Sequence, residues 1–324
     1  MDESGEQPAQ VRLGFAVKVL GDGGLPSHDT RRWQSEPHLR VSIERLRAIL
    51  GYLEHYGIAM YRMSSSFVPY GTHPDLPQFH GQVEECADEL AQLGRAGAGV
   101  RLSTHPGQYV VLNSESEQVR NAALRDVELQ AALFDAMGLP PESVVVLHVG
   151  SGGAGGLERF ERAADELSER ARARLVIEND DRVHALADVL ALSERTGLPV
   201  VWDVLHHHCH DPAGIPDREA LELALATWPH GVRPKIHWSS PKTAVEERRR
   251  RVGRRVERSL VLPQLRAHAD VVDPIAFEAF LRDTAAGLEF DVMLEAKAKD
   301  VALLRLREQL SARGLRTVDG APAG

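Results

Sequence analysis

Seven apolar runs in this chain each lead into a residue able to bind or steer a metal, and that repeated ending constrains the fold more than any single motif. The runs cover residues 59–63, 100–102, 144–147, 175–177, 200–202, 235–236 and 292–294. They lead in turn to Ser64, Ser65 and Ser66, then His105, His148, Glu178, Asp203, His237 and Glu295. An earlier run at 13–17 supplies an eighth strand. Short continuous apolar runs suit strands buried on both faces. Between and after them, helical apolar spacing recurs at 41–56, 81–93, 117–137, 157–171, 183–193, 218–226, 274–284 and 301–312. The alternation predicts an α/β fold, a single (β/α)8 TIM barrel with a metal site at the C-terminal rim of its strands.

At 324 residues the chain has the length of one such barrel, expected over residues 11–314. The polar stretch 1–10 and the Gly-, Pro- and Ala-containing stretch 315–324 are expected to fray as tails. No apolar stretch approaches the roughly 20 residues of a membrane span, and the N-terminus has no secretory pattern, so a soluble, cytoplasmic protein is expected. Two cysteines, Cys86 and Cys209, are too few for a disulfide framework; Cys86 is expected to be buried in a helix and Cys209 not to be a ligand. A formal charge of −9 argues against indiscriminate nucleic-acid binding. Against that average stands a basic concentration, Arg248, Arg249, Arg250, Arg251, Arg254, Arg255 and Arg258. It is either a solvated helix face balanced by Glu246, Glu247 and Glu257 or a phosphate-tracking surface. The glycine-rich stretch 150–156 lacks the Lys-Ser/Thr ending of a P-loop and reads as a flexible strand-to-helix loop above the site.

The polar strand ends carry the chemistry. Asp203 and His206 stand three apart, and Glu178, His105, His148, His237, His268 and Glu295 join them from other strand ends. Imidazole with carboxylate suits Zn, Mn, Fe or Co, whereas an all-oxygen set suits Mg or Ca. More than six donors exceed the need of one ion, so two or three metals are expected, spaced to clamp the oxygens of a phosphodiester. A lone His at a strand end is more often a hydrogen-bonded core residue. Burying the full set without cations, however, would cost several kcal/mol per group. His207, His208 and His210 stay open between supporting, substrate-facing and exposed roles. Lys235 shares a strand face with His237, and an ammonium there would repel a metal cluster. That leaves a deprotonated, carboxylated or phosphate-bound lysine.

At these residues the chain resembles the UV damage endonucleases, relatives of the endonuclease IV barrels. The resemblance runs from Val11-Arg12-Leu13-Gly14 to Leu294-Glu295-Ala296-Lys297. It includes Arg62-Met63-Ser64-Ser65-Ser66, Gly71-Thr72-His73-Pro74, Ser103-Thr104-His105-Pro106-Gly107-Gln108-Tyr109 and Ile177-Glu178-Asn179-Asp180. Asp203-Val204-Leu205-His206-His207, Lys235-Ile236-His237-Trp238-Ser239-Ser240 and His268-Ala269-Asp270 complete it. It implies metal ligation by His105, His148, Glu178, Asp203, His206, His237, His268 and Glu295. It further implies a catalytic or phosphate-contacting role for His73 and a metal-site lysine at Lys235. Glu178 and His237 complete the expected catalytic set, with Glu178 chosen as the carboxylate that bridges two metals and orients the attacking hydroxide. The implied cofactors are two or three divalent ions, Mn first, with Zn, Co or Mg as others.

The implied activity is ATP-independent incision of double-stranded DNA immediately 5′ of cyclobutane pyrimidine dimers and 6-4 photoproducts, leaving a 3′-hydroxyl and a 5′-phosphate. The protein would then be nucleoid-associated when acting, with no membrane and no obligate protein partner. Gln108 and Tyr109 are implied to probe the duplex opposite the lesion, Tyr109 stacking in the gap; the plainer alternative packs Tyr109 under its own loop. Two departures stand out. Phe15 replaces an expected Tyr, and the arginine-rich segment between Ser240 and His268 is longer than the family's usual connection. The rivals are an abasic-site endonuclease of endonuclease IV type, a metal-dependent sugar isomerase or epimerase, and a DNA-binding protein with structural metals.

Overall fold

The computed structural model describes residues 7–253 and 255–318; most of the expected N-terminal tail, Arg254 and the end of the expected C-terminal tail lie outside the described residues. The chain forms strands β1 (Gln10–Ala16), β2 (Met60–Arg62), β3 (Arg101–Ser103), β4 (Val145–His148) and β5 (Leu175–Glu178). There follow β6 (Val200–Val201), β7 (Lys235–Trp238), β8 (Glu246–Val252), β9 (Arg255–Val261) and β10 (Glu289–Leu294). One parallel sheet has the order β3-β2-β1-β10-β7 and another β4-β5-β6. Single parallel bridges, Thr104 with Val145 and Asp203 with His237, link their edges. All eight apolar runs are therefore strands, and each lies beside its neighbour in chain order.

The helices form where apolar spacing gives them a buried stripe. In Leu39–His55 the residues Leu39, Ile43, Leu46, Ile49, Leu50 and Leu53 are buried, and Gly57 ends the segment at φ +58°. Helices Glu117–Ala136, Leu186–Thr196, Asp217–Ala226 and Lys299–Ala312 follow the expected spans closely. Three expected helices are interrupted. Residues 81–93 break at Cys86 between Gln82–Glu85 and Ala87–Ala96. Residues 157–171 divide where Ser168 caps Glu169–Arg174 through a bond from the Ala171 amide. Residues 274–284 pass into a π turn at Phe280–Thr284.

The arginine-rich segment corrects the helix-face expectation. Strands β8 and β9 pair antiparallel from Glu246–Val261 to Val252–Arg255, turning at Gly253 with φ +63°. A helix here would have no apolar stripe to bury, whereas a hairpin satisfies its own backbone on the surface.

At the start of the strands a buried carboxylate is saturated by arginines. Asp291 accepts from Arg12 Nε at 2.8 Å and Nη2 at 2.7 Å, from Arg101 Nη1 at 2.7 Å and from Arg233 Nε at 2.9 Å. Arg101, itself fully buried, also donates to the carbonyls of Glu142 and Arg233. Arg12 and Arg101 hold Asp291 below the usual carboxylate range against the upward push of burial.

Candidate metal centre

Six of the donors arrive from six different strand ends. Glu178 closes β5 beside His148, which closes β4 in register with it. His237 is the third residue of β7, His105 lies two residues past β3, and Glu295 directly follows β10. Asp203 follows β6 and caps the short helix Val204–Cys209, its Oδ1 accepting from the His206 amide at 2.8 Å. Asn179 clamps this turn, donating from Nδ2 to the Asp203 carbonyl and accepting from the Asp203 amide.

Glu178 is the hub. Its Oε1 lies 2.8 Å from His237 Nδ1 and 3.8 Å from His206 Nδ1. Its Oε2 lies 2.9 Å from His105 Nε2 and 3.8 Å from His148 Nε2. Yet among the described residues Oε2 has no hydrogen bond of acceptable geometry; nor have His105 Nδ1, His148 Nδ1, His237 Nε2 or Asp203 Oδ2, all buried. Among the described residues three donor sets have atoms within 4.8 Å of one another: His105, His148 and Glu178; His105, His237 and Glu295; Glu178, Asp203 and His206. His268 stands outside these triplets, its ring 6.1 Å from that of His206 and its Nδ1 3.7 Å from Glu295 Oε2.

Buried polar atoms are ordinarily paired, so this many lone pairs left over fits cations rather than a satisfied core. The electrostatics agree. Burial pushes Glu178 up, but His237, His148 and His105 outweigh it and hold the carboxyl well below its usual range. Burial likewise opposes ionisation of Glu295, and Arg62 and His237 overcome it. Asp203 is raised to about 6, by burial and by Glu178 and Glu295. His206 resists burial and rises to about 9 under Asp203, Glu178 and Glu295. Burial leads the Asp203 shift, while Glu178 and Glu295 raise both groups, a negative charge that a divalent cation would offset.

Above the centre runs a groove of about 1000 Å³ lined by Arg62, His105, Tyr109, His148, His206 and Glu295 among others. Gln108 and Tyr109 are exposed on its edge, Tyr109 at 68%. The Tyr109 ring leans over Gly107, where an added Cβ would stand 2.6 Å from it, so only glycine leaves room for that pose. Tyr109 is thus presented to solvent rather than packed beneath its loop.

The profile of the family described as UV-endonuclease UvdE matches residues 35–321. The chain belongs to this UV-endonuclease family. A UV DNA damage endonuclease of Bacillus cereus is 30% identical over 292 residues, covering 87% of this chain and 85% of the relative. One from Bacillus velezensis is 34% identical over 281 residues, covering 83% and 80%. The crystal structure of SacUVDE superposes with a TM-score of 0.78 at 28% identity, over 94% of this chain and 99% of that one. Endonuclease IV from Thermus thermophilus, at 17% identity, TM-score 0.56 and coverage of 93% and 99%, shares the fold.

In this UV-endonuclease family member the remaining predicted residues divide. Lys235 is buried with Nζ unpaired, its pKa lowered well below normal by burial and by Arg101 and Arg62. His73 stands apart from the donor cluster, exposed on a neighbouring cavity of about 340 Å³ that it shares with Tyr109 and Asp126. His207 Nε2 meets the Ile215 carbonyl at 2.9 Å while its Nδ1 has no partner among the described residues, and His208 Nε2 meets Asp217 at 2.9 Å. Cys86 is buried. Phe15 is also buried, its ring edge-on to Tyr61 at 5.3 Å. Gly150 and Ser151 of the glycine-rich loop line the groove.

Sequence reading assigned no role to Asn179 or Arg62. Asn179 directly follows Glu178, and Arg62, which ends β2, pairs with Glu295; both belong to strand-end motifs, which was their signal.

Proposed function

We propose that this chain is a metal-dependent DNA repair endonuclease that incises immediately 5′ of UV photoproducts, leaving a 3′-hydroxyl and a 5′-phosphate without ATP. The observation that carries the reading is the convergence of unpaired ligand atoms on the floor of a groove edged by an exposed Tyr109, in a chain of the UV-endonuclease family. His105, His148, Glu178, Asp203, His206, His237, His268 and Glu295 would hold two or three divalent cations, Mn first and Zn, Co or Mg otherwise. Bound there, such ions supply Lewis acidity toward a phosphodiester and make water a nucleophile at neutral pH.

The chain's own groups set the geometry. Glu178, kept ionised by three imidazoles, is the acceptor that orients the attacking water. His237 steers that carboxylate through Nδ1 and keeps Nε2 free. Arg62 fixes Glu295 and presents its guanidinium to the groove, where a phosphate would lie. Lys235, uncharged or carboxylated, adds no repulsion beneath the cluster; native mass spectrometry for a labile carbon dioxide adduct separates the two forms. His73 contacts a phosphate from the adjoining cavity.

Double-stranded DNA is the substrate. Tyr109 stacks in the gap opposite the lesion and Gln108 bonds the exposed base edges; a crosslinked dimer that pairs poorly costs less to open than intact bases. The two sheets act as one closed (β/α)8 barrel and a single catalytic unit over residues 11–314, a reading supported by the bridges at Thr104 and Asp203. No helix among the described residues is long and apolar enough to cross a membrane, consistent with work in the cytoplasm at the nucleoid.

The test is incision of end-labelled duplexes carrying one cyclobutane dimer, one abasic site or no lesion, with Mn or with EDTA. Mn-dependent cutting just 5′ of the dimer is expected. Cutting only at the abasic site would move the reading to an endonuclease IV type of activity, and no cutting would end it.

A further inference from the structure

The hairpin of β8 and β9 takes no part in the core, and its residues 246–251 and 255–260 are all exposed. Residues 246–261 hold seven arginines against three glutamates in a chain whose formal charge is −9. The register puts Arg248, Arg250 and Arg255 on one face and Arg249, Arg251 and Arg258 on the other. Arg249 and Arg258 are directly opposed, which by itself destabilises a ribbon, and Glu247 bridges both. Arg248, Arg250, Arg251 and Arg255 form no ion pair among the described residues. Such a ribbon, lacking a packed face, is marginal by itself and keeps uncompensated cations in solvent. A polyanion would offset both costs.

The root of the hairpin fixes where that polyanion would lie. Pro241 bridges His268, the Lys242 amide donates to the Ala267 carbonyl, and the Ala269 amide donates to the Ser240 carbonyl. Gln264, Arg266 and Ala267, on the segment that returns from β9 to this stem, line the groove above the metal centre. Seven residues per strand give a ribbon about 23 Å long, and a two-stranded ribbon fits the major groove of B-form DNA.

We propose that the β8–β9 hairpin is a DNA clamp that grips the sugar–phosphate backbone of the duplex flanking the incision site. The assignment rests on the DNA-substrate reading above. It explains how an acidic protein holds DNA: the binding charge is concentrated on one projecting element beside the groove rather than spread over the surface.

The test combines Arg248→Gln, Arg250→Gln, Arg251→Gln and Arg255→Gln in the full-length, Mn-loaded protein, with the four Arg→Lys changes as a charge-preserving control. Incision of a dimer-containing duplex of about 40 base pairs is followed from about 50 to 300 mM salt. The Gln variant should raise KM at least about tenfold at 100 mM salt with kcat unchanged, and flatten the dependence of log affinity on log salt by about 2 to 4. The Lys variant should keep the parent slope. An unchanged KM and slope in the Gln variant, or the same loss in the Lys variant, would overturn the clamp. Should the parent protein incise no duplex, the functional reading fails separately. Fluorescence anisotropy with undamaged duplex then decides the hairpin: weaker, less salt-sensitive binding by the Gln variant supports it, and equal binding overturns it.

Discussion

Asp291 at the start of the strands and Glu178 at their ends are both fully buried carboxylates, and the chain treats them in opposite ways. Around Asp291 three arginines supply well-aligned donors to both oxygens. Around Glu178 four imidazoles approach within 3.8 Å, yet one carboxylate oxygen and several ring nitrogens stay unpaired. The first carboxylate is satisfied by the protein alone, as one in a structural ion cluster must be if it is not to cost several kcal/mol. The second is left open, which is the mark of a site completed by something from solution. Lys235 lies between them, repelled by Arg101 of one cluster and drawn by Glu178 of the other.

The sharpest way to break this contrast is Glu178→Gln. It is expected to lower incision by about a thousandfold or more, equivalent to ~4 kcal/mol, while damaged DNA still binds. Incision within tenfold of the parent would remove Glu178 from the reaction. Metal removal by EDTA should abolish incision equally and leave the arginine cluster, and so most of the folding stability, intact; a collapse of the circular dichroism signal would instead make the upper site structural.

Asp291→Ala probes the other end. Three cations would lose their shared acceptor, and unfolding in urea should show a loss of about 3–5 kcal/mol, with kcat of the folded fraction unchanged. A loss below about 1 kcal/mol would mean that the arginines are satisfied without it. Tyr109→Ala concerns an exposed group above both clusters. It is expected to reduce preference for dimer-containing over intact duplex by about tenfold, or ~1.4 kcal/mol, with no change in melting temperature. An unaltered preference would return Tyr109 to a passive loop residue.

Asp126 offers the smallest test, an acid with neither arginines nor a metal set. It is half-buried with Oδ2 unpaired, and burial raises its pKa to about 6. Because the folded value lies above the unfolded one, its contribution to stability is full below about pH 4 and is lost as pH rises through 6. Asp126→Asn should therefore stabilise the protein by about 1 kcal/mol at pH 8 and by nothing at pH 4. Equal effects at both pH values would mean packing, not ionisation, sets the difference.

Local sequence determined the frame of the molecule. Continuous apolar runs of a few residues specify strands buried on both faces, and helical spacing between them specifies the crossovers, so the polar residue after each run had to fall on one rim. His105, His148, Glu178, Asp203, His237 and Glu295 were legible for that reason. Helix breaks were less so, because the Ser168 cap and the π turn depend on bonds that periodicity does not encode. The arginine-rich stretch misled because charge alone carries no period to separate a helix face from a hairpin.

Tertiary structure alone decided which atoms remain free. What a histidine's nitrogens meet is set by the fold: Ile215 and Asp217 take Nε2 of His207 and His208, whereas His105 and His148 turn Nε2 toward Glu178. Arg62 finds Glu295 across 233 residues, and His237 finds Glu178 across 59. Pairings at such separation follow from how the strands are brought side by side, and no local pattern of residues contains them.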